Sequence, residues 1–194
     1  AWGALMRARD KRATLDLDLP EMKVTLGDGG HISDIQQRQR LDAHRVIEEF
    51  LIEANVAAAE TLEAQKMPCV YRVHDQPNRE KLLGLKDFLA SMNLSFAMGD
   101  RLRPELFNRI LAKAKDTEQW EAVNQSILRS QSQARYDPEN IGHFGLARSR
   151  YAHFTSPIRR YSDLLVHRAL IRGGGFGRDG LTDGEAESLA ATAE

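Results

Sequence analysis

The chain of 194 residues has a single cysteine, Cys69, and no long apolar run. One thiol can form neither an internal disulfide nor a zinc site of several thiolates, so we expect Cys69 to be buried and unreactive. No apolar stretch approaches the ~20 residues that a helix needs to span a bilayer. The sequence also lacks a serine or cysteine in a motif that would activate it as a nucleophile. These absences favour a cytoplasmic protein, and 42% hydrophobic residues over 194 positions are enough to form one hydrophobic core.

Charge nearly cancels over the whole chain, but it is unevenly distributed. The net charge is −1, yet residues 129–172 contain eight Lys or Arg, three acids and three of the six histidines. Aromatic residues lie among these charges, at Tyr136, Phe144, Tyr151, Phe154 and Tyr161. The mixture is typical of proteins that bind single-stranded nucleic acid, because cations follow the backbone while rings stack on bases. About half of these rings are expected to be core residues instead.

Two adjacent arginines follow a helix-start signal in this basic region. Thr155 and Ser156 are N-cap residue types and a proline follows them, so a helix is expected to begin at about Ser156. Arg159 and Arg160 would then lie in the first turn, where the helix dipole and free N–H groups favour anions. Binding a phosphate would relieve this conflict. The alternative is a solvated pair in which Asp163 partly neutralises Arg159.

Hydrophobic periodicity predicts a chain with many helices and few strands. Alternation predicts a strand at residues 15–19, and a hairpin of residues 22–26 and 31–35 about a Gly-Asp-Gly-Gly turn. One long helix is expected at residues 34–66, buried along the stripe Ala43, Val46, Ile47, Phe50, Leu51 and Ala54. We further expect a strand at residues 67–73, helices at 77–92, 104–113 and 117–134, and a surface loop at 172–180.

The long helix carries a second candidate site. Glu48, Glu49 and Glu53 form an acidic cluster beside His44. The plain alternative is a solvated helix face with pairs such as Arg45 with Glu49.

The histidines also allow two interpretations. Asp163 and His167 lie one helical turn apart with His153 nearby, so a metal could bridge them, although this spacing is unspecific. Hydrogen bonds to RNA phosphates are the alternative, as is burial of His167 against a backbone partner. We expect His74 to end a strand and to organise the following turn through Asp75.

Three neighbouring segments contain unusual combinations of residues: residues 143–147 (His-Phe-Gly-Leu-Ala), residues 151–164 (Tyr-Ala-His-Phe-Thr-Ser-Pro-Ile-Arg-Arg-Tyr-Ser-Asp-Leu) and the pair His167-Arg168. Together they resemble the signature of the ribonuclease II/ribonuclease R family, within its catalytic RNB domain. Residues 42–59 resemble the family's long central helix, and residues 71–77 the strand and turn after it. Residues 136–140 are more similar to bacterial ribonuclease R than to ribonuclease II.

The resemblance implies a fold and an activity. The expected fold is α+β and helix-rich, the C-terminal half of an RNB domain with helices packed on the remnant of a mainly antiparallel sheet. Residues 1–194 would be one partial domain, an internal fragment without the flanking cold-shock and S1 domains. The implied activity is processive 3′-to-5′ hydrolysis of single-stranded RNA to nucleoside 5′-monophosphates. It would use Mg²⁺ bound by aspartates upstream of this chain, so we expect the chain alone to be inactive.

The resemblance also assigns roles to residues. Arg159 matches the family's catalytic arginine, and Glu48 matches a position whose carboxylate contacts a ribose hydroxyl. The remaining RNA contacts are expected from His143, Tyr151, His153, Thr155, Ser156, Arg160, Tyr161 and His167. We expect a monomeric parent protein that binds RNA and no membrane. The alternatives are a non-catalytic RNA-binding module of RNB type, and a helical domain that has no ligand.

Overall fold

The computed structural model describes residues 2–17, 22–37, 41–97, 99 and 101–191. The helices are α1 (Trp2–Arg12), α2 (Asp42–Ala64), α3 (Arg79–Ser91), α4 (Pro104–Ala114), α5 (Trp120–Ser130), α6 (Tyr161–Gly174) and α7 (Asp183–Ala191). The strands are β1 (Met22–Leu26), β2 (Ile32–Gln37), β3 (Tyr71–Val73) and β4 (Arg135–Asp137). None of the described helices is long and apolar enough to cross a membrane.

Two small antiparallel sheets make up the β part of the fold. Strands β1 and β2 form the expected hairpin, with Val24 opposite Ile35. Gly29 and Gly30 in its turn have φ of 82° and 80°, a region that glycine enters without steric cost. Strand β3 pairs with the distant β4, which brings Arg72 opposite Tyr136. The chain is therefore α+β and helix-rich, as expected.

One hydrophobic cluster joins the C-terminal half of α2 to β3, α6 and α7. Its most buried members include Leu62 on α2, Val73 on β3 and Val166 on α6. Cys69 belongs to this cluster, which confirms its expected burial, and burial raises the pKa of its thiol to about 12. This cluster supports the segment before α6 that carries the two arginines.

A second cluster is formed by α3, α4 and α5. Leu89, Phe107 and Ile127 are among its fully buried side chains. Phe144 packs against it from the signature segment, with its ring perpendicular to that of Phe107 at 6.2 Å. Residues 144–152 thus connect the two clusters, because Phe144 packs against the second cluster and Ala152 is buried in the first.

The three middle helices agree with the sequence within a few residues, but other boundaries differ. The long helix begins at Asp42 rather than at residue 34, because β2 continues to Gln37. The strand expected at residues 67–73 is shorter than expected, because only Tyr71–Val73 form β3. Leu15 and Leu17 form no strand and pack against the second cluster, while residues 18 and 19 lie outside the described residues. The expected surface loop begins later, because α6 continues to Gly174.

The apolar stripe of α2 is exposed, contrary to expectation. Ile47, Phe50 and Leu51 are 58%, 52% and 43% exposed. The buried face of α2 instead carries Glu49 and Asn55 together with small or apolar residues of its second half. The reason is that α1 packs through polar side chains on a different face of α2, and α6 packs against α2 as well.

Candidate functional site

The two arginines lie in a turn that precedes α6, which we name the arginine turn (residues 156–160). The N–H groups of Arg159 and Arg160 both donate to the carbonyl of Ser156, at 3.2 and 3.1 Å. Arg160 then has extended dihedral angles (φ −133°, ψ 120°), which a helix cannot contain, and α6 begins at Tyr161. The expected helix start at Ser156 is therefore wrong, and the arginines stand before the first turn of α6.

Arg160 is bound to a buried carboxylate. Its Nε donates to Asp163 Oδ2 at 2.7 Å and its Nη2 to Asp163 Oδ1 at 2.8 Å. Asp163 is completely buried, and its Oδ1 also accepts from the backbone N–H of Ser156 at 2.7 Å. Burial alone would raise the pKa of Asp163, but the bonds from Arg160 and Ser156 outweigh it and keep that pKa below its ordinary value. Asp163 thus neutralises Arg160, not Arg159 as the alternative interpretation assumed.

Arg159 is exposed, unlike its neighbour. Its guanidinium forms no hydrogen bond or ion pair with another described residue. Ile158 beside it is fully exposed, so it does not open the buried face of α6, which consists of Asp163, Val166 and Ala169. The turn therefore presents one unpaired cation to solvent.

Four of the aromatic and histidine rings form a continuous row next to the arginine turn. Tyr151 lies between His143 and His153, with ring centroids 5.2 and 5.8 Å away. His153 Nδ1 is hydrogen-bonded to the hydroxyl of Tyr136 at 2.9 Å. The guanidinium of Arg72 stacks over the Tyr136 ring at 4.7 Å. The fold thus brings together three predicted site residues with Tyr136 and Arg72, which the sequence did not single out as site residues.

The two histidines of this row are held neutral. Burial lowers the pKa of His143 to about 3, and the nearby His74 ring and Arg72 guanidinium add to the shift. Burial likewise lowers the pKa of His153 to about 4, with Arg160 adding to it. At neutral pH both rings act as hydrogen-bonding groups rather than as cations.

Tyr151 and His167 are held within the protein. Tyr151 is buried and its hydroxyl accepts from Asn55 Nδ2 at 3.0 Å, while Asn55 Oδ1 accepts from the N–H of Phe154 at 2.8 Å. His167 Nε2 donates to the carbonyl of Phe154 at 2.9 Å, and its ring stacks on Phe154 at 4.2 Å. The expected backbone partner of His167 is confirmed. Asn55 was missed, although a buried asparagine in a helix needs partners of this kind.

The remaining predicted contacts lie close to the turn. Thr155 and Ser156 are partly buried, whereas Tyr161 is exposed. Arg160 and Tyr161 line a cavity of about 710 Å³ together with Tyr136. His143 lines a different cavity, of about 480 Å³.

The acidic residues of α2 divide into two roles. Glu49 is 1% exposed and accepts from Arg9 Nη1 at 2.7 Å and Arg12 Nη2 at 2.5 Å, so the expected pair with Arg45 is wrong. Glu53 pairs with Arg12 and with Arg148. Glu48 is partly exposed on the same helix. Glu49 therefore docks α1 on α2.

His74 fixes the signature segment rather than the turn after β3. Its Nε2 donates to the carbonyl of Ser132 at 2.9 Å, and its Nδ1 accepts from the N–H of Gly145 at 2.9 Å. Asp75 instead accepts from the N–H of Gln76. Burial lowers the pKa of His74, which agrees with a neutral ring in this one tautomer.

The carboxylates and histidines are not grouped as metal ligands in the described part of the chain. Within the described ranges, no group of three or more His, Cys, Asp or Glu side chains could hold a metal ion. Asp163 is hydrogen-bonded to Arg160 and Ser156, and His167 is hydrogen-bonded to Phe154. These two side chains are therefore engaged with protein partners and are not arranged to bridge a metal ion.

Comparison with known proteins adds independent information. The family model described as the RNB domain matches residues 3–173. Ribonuclease R of Thermotoga maritima is 43% identical over 167 residues, and that of Escherichia coli K12 is 42% identical over 166 residues. Each match covers 86% of this chain but only 24% and 20% of the relative, so the chain spans about a quarter or less of their length.

Solved structures of similar proteins agree. Ribonuclease R of Mycoplasma genitalium, in complex with ribose-methylated single-stranded RNA, has a TM-score of 0.89 and 30% identity. The match covers all of this chain and 30% of that one. Yeast Ssd1, described as a pseudonuclease, has a TM-score of 0.66 and 25% identity over 80% of this chain and 19% of its own. On the match over residues 3–173 and the shared fold, the chain belongs to the RNB domain family.

Proposed function

We propose that this chain is part of an exoribonuclease that degrades single-stranded RNA from its 3′ end and releases nucleoside 5′-monophosphates processively. The ribonuclease R relatives support the class of activity, and the complex of one of them with RNA supports the substrate. The observation that carries the proposal is the exposed, unpaired guanidinium of Arg159 beside an arginine that is already neutralised. A free guanidinium at a fixed backbone position is suited to bind a phosphate.

Arg159 would act on the transition state of hydrolysis. Attack of water on a phosphodiester builds negative charge on the phosphoryl oxygens, and a fixed cation stabilises this charge more than that of the ground state. Arg159 is free to approach these oxygens because it has no protein partner among the described residues. Its expected contribution is about 10² to 10³ in rate, as for other preorganised charge-stabilising donors.

The neighbouring residues would bind the RNA. Tyr161 is exposed for stacking on a base, and His153 in the ring row is available as a neutral hydrogen-bonding group. Thr155, Ser156 and Arg160 border the same turn, and His143 lies at the far end of the row. Tyr151 and His167 would support these contacts from within, because Tyr151 is buried and His167 is bound to Phe154.

Glu48 would recognise the sugar. A carboxylate can accept a hydrogen bond from a 2′-hydroxyl, which DNA lacks. Glu48 is partly exposed, whereas its neighbour Glu49 is only 1% exposed. A substrate can therefore reach Glu48 but not Glu49, so discrimination against DNA is assigned to Glu48.

Magnesium does not fit the described residues, because they contain no suitable ligand group. Mg²⁺ would instead be bound by aspartates outside this chain. Residues 1–194, as one part of an RNB domain, are then expected to bind RNA without hydrolysing it. Cold-shock and S1 domains would lie outside this chain, and the parent protein would be a cytoplasmic monomer.

The test compares two labels on one single-stranded RNA, using the full-length protein with Mg²⁺. A 5′ label should pass from the full-length RNA to a short end product without a ladder of intermediates, because a processive enzyme stays on one RNA, while a 3′ label should appear at once as a nucleoside 5′-monophosphate. Internal fragments from either label, or 3′-phosphate products, would contradict the proposal. The same assay on residues 1–194 should give no product.

A second candidate is a non-catalytic RNA-binding module. The likeness to the pseudonuclease Ssd1 favours it, because a chain with this fold can belong to a protein described in that way. Salt-sensitive binding of single-stranded RNA without any product in the two-label assay would support this candidate. The absence of salt-sensitive binding would favour a helical domain without a ligand.

A further inference from the structure

The carboxylate of Asp163 joins both ends of the arginine turn. Its Oδ1 accepts from the N–H of Ser156, the first residue of the turn, at 2.7 Å. The same carboxylate accepts two bonds from Arg160, the last residue, at 2.7 and 2.8 Å. Ser162 Oγ lies 3.4 Å from Oδ2. One side chain on α6 thus closes a five-residue segment that is otherwise held by two bonds to the carbonyl of Ser156.

The position of Asp163 is rigid. It is the third residue of α6, where a negative charge is favoured by the helix dipole, and its side chain is completely buried. Arg159, at the exposed side of the same turn, has no described partner that could orient it. The direction in which Arg159 leaves the backbone is therefore set by the turn, and the ends of the turn are set by Asp163.

We propose that Asp163 is a positioning residue for Arg159: it fixes the backbone of the arginine turn, and with it the point and direction from which the Arg159 side chain extends. This role rests on the proposed function, because it assumes that Arg159 acts on the phosphate. Asp163 itself is too deeply buried to contact RNA. Its effect is on the chemical step, since a misplacement of about 1 Å can cost about 10²-fold in rate.

The test is a double-mutant cycle of Arg159→Ala and Asp163→Asn in the full-length protein, measured as the single-turnover rate of RNA hydrolysis. Asparagine keeps the shape but puts an N–H donor where Asp163 accepts. The Asp163→Asn variant is expected to lose about 10²-fold in rate with its RNA affinity changed far less. The double variant should be no slower than Arg159→Ala, because the residue being positioned is already gone. A purely structural role would instead give additive losses.

Two further variants complete the test: one is a control for the chemical change, and the other replaces Asp163→Asn if that variant does not fold. Asp16 accepts a hydrogen bond from Arg9 Nη2 at 2.9 Å and does not line the cavity of Arg160 and Tyr161, so Asp16→Asn makes the same chemical change in an ion pair outside that cavity. It should leave the rate within about twofold, as expected for a change that touches no substrate contact. If Asp163→Asn does not fold, Arg160→Lys replaces it. Arg160→Lys keeps the positive charge but loses the paired hydrogen bonds to Asp163. It should lower the rate less than Asp163→Asn does, and it should cause no further loss of rate in the Arg159→Ala background.

The outcomes separate this inference from the proposed function. Loss of rate in Arg159→Ala with a normal rate in Asp163→Asn overturns the positioning role and leaves the proposed function intact. Normal rates in both variants overturn both. If the wild type binds RNA without cleaving it, the proposed function fails and the cycle is measured on the dissociation constant. Non-additive losses there support positioning, whereas additive losses, or no RNA binding, overturn it.

Discussion

Arg9 Nη1 donates to Glu49 Oε1 at 2.7 Å, and this contact joins two helices through a carboxylate that is only 1% exposed. Arg12 occupies the other oxygen of Glu49 at 2.5 Å. Few apolar side chains contribute to this junction, since none of the residues of α1 is buried. The packing of α1 on α2 therefore depends on charge.

Removing the charge of Glu49 should strongly destabilise the chain. Glu49→Gln leaves two arginines without their shared acceptor, and breaking a buried ion pair costs about 3 to 5 kcal/mol. The free energy of unfolding in urea measures this loss. Glu60→Gln, an exposed position of the same helix, should change it by less than about 0.5 kcal/mol. Equal effects in the two variants would mean that α1 is held by other contacts.

The adjacent Glu48 should affect recognition instead of stability. Glu48→Ala is expected to narrow the preference for RNA over DNA by about tenfold, because a hydrogen bond to a charged group contributes about 1.5 to 3 kcal/mol. RNA affinity should fall less than this ratio, since phosphate contacts supply most of it. Competition binding with RNA and DNA of one sequence measures the ratio. An unchanged ratio would leave Glu48 as an ordinary acid of the helix face.

The sequence predicted elements whose signals are local. The hairpin has a Gly-Asp-Gly-Gly turn, and α3, α4 and α5 have clear apolar periodicity, so their existence could be read directly. Helix α1 was missed because its contacts with α2 are made by Arg9 and Arg12, which show no apolar pattern.

The arginine turn shows why the site was only partly predictable. Both Arg159 and Arg160 are spaced to reach Asp163 from a helix, at four and three residues. Which of them pairs depends on the backbone of the turn, and the extended dihedral angles of Arg160 decide it. That backbone is stabilised by the buried carboxylate of Asp163, and its burial depends on residues distant in sequence, because α6 packs in one hydrophobic cluster with α2 and β3.

Acid should destabilise the fold through the neutral histidines. The pKa of His143 is about 3 in the folded chain and that of His153 about 4, against an ordinary value of 6.5. The unfolded chain therefore binds more protons between pH 6.5 and about 4, so stability is complete above this window and falls as the pH is lowered through it. Urea midpoints across this range measure the loss.

The contribution of one histidine can be isolated by substitution. His143→Gln removes a titrating group, so its urea midpoint should fall less steeply than that of the wild type between pH 6.5 and about 4. His31→Gln, at an exposed histidine beside the hairpin turn, serves as the control and should leave the slope unchanged. Equal slopes in all three proteins would show that His143 is not held neutral by burial.

Replacing each of the two adjacent arginines by alanine should impair a different property, namely stability for Arg160 and turnover for Arg159. Arg160→Ala leaves the buried Asp163 without its partner, so the free energy of unfolding should fall by about 3 to 5 kcal/mol. Arg159→Ala removes an exposed side chain without a described partner, so stability should change by less than about 0.5 kcal/mol.

The turnover rate of Arg159→Ala should nevertheless fall by about 10² to 10³ if the guanidinium stabilises charge in the transition state. Urea unfolding and single-turnover hydrolysis of the same samples provide both quantities. A stable Arg160→Ala protein, or a chemical step within a few-fold of the wild-type rate in Arg159→Ala, would contradict this division between an arginine that holds the turn and one that acts on the phosphate.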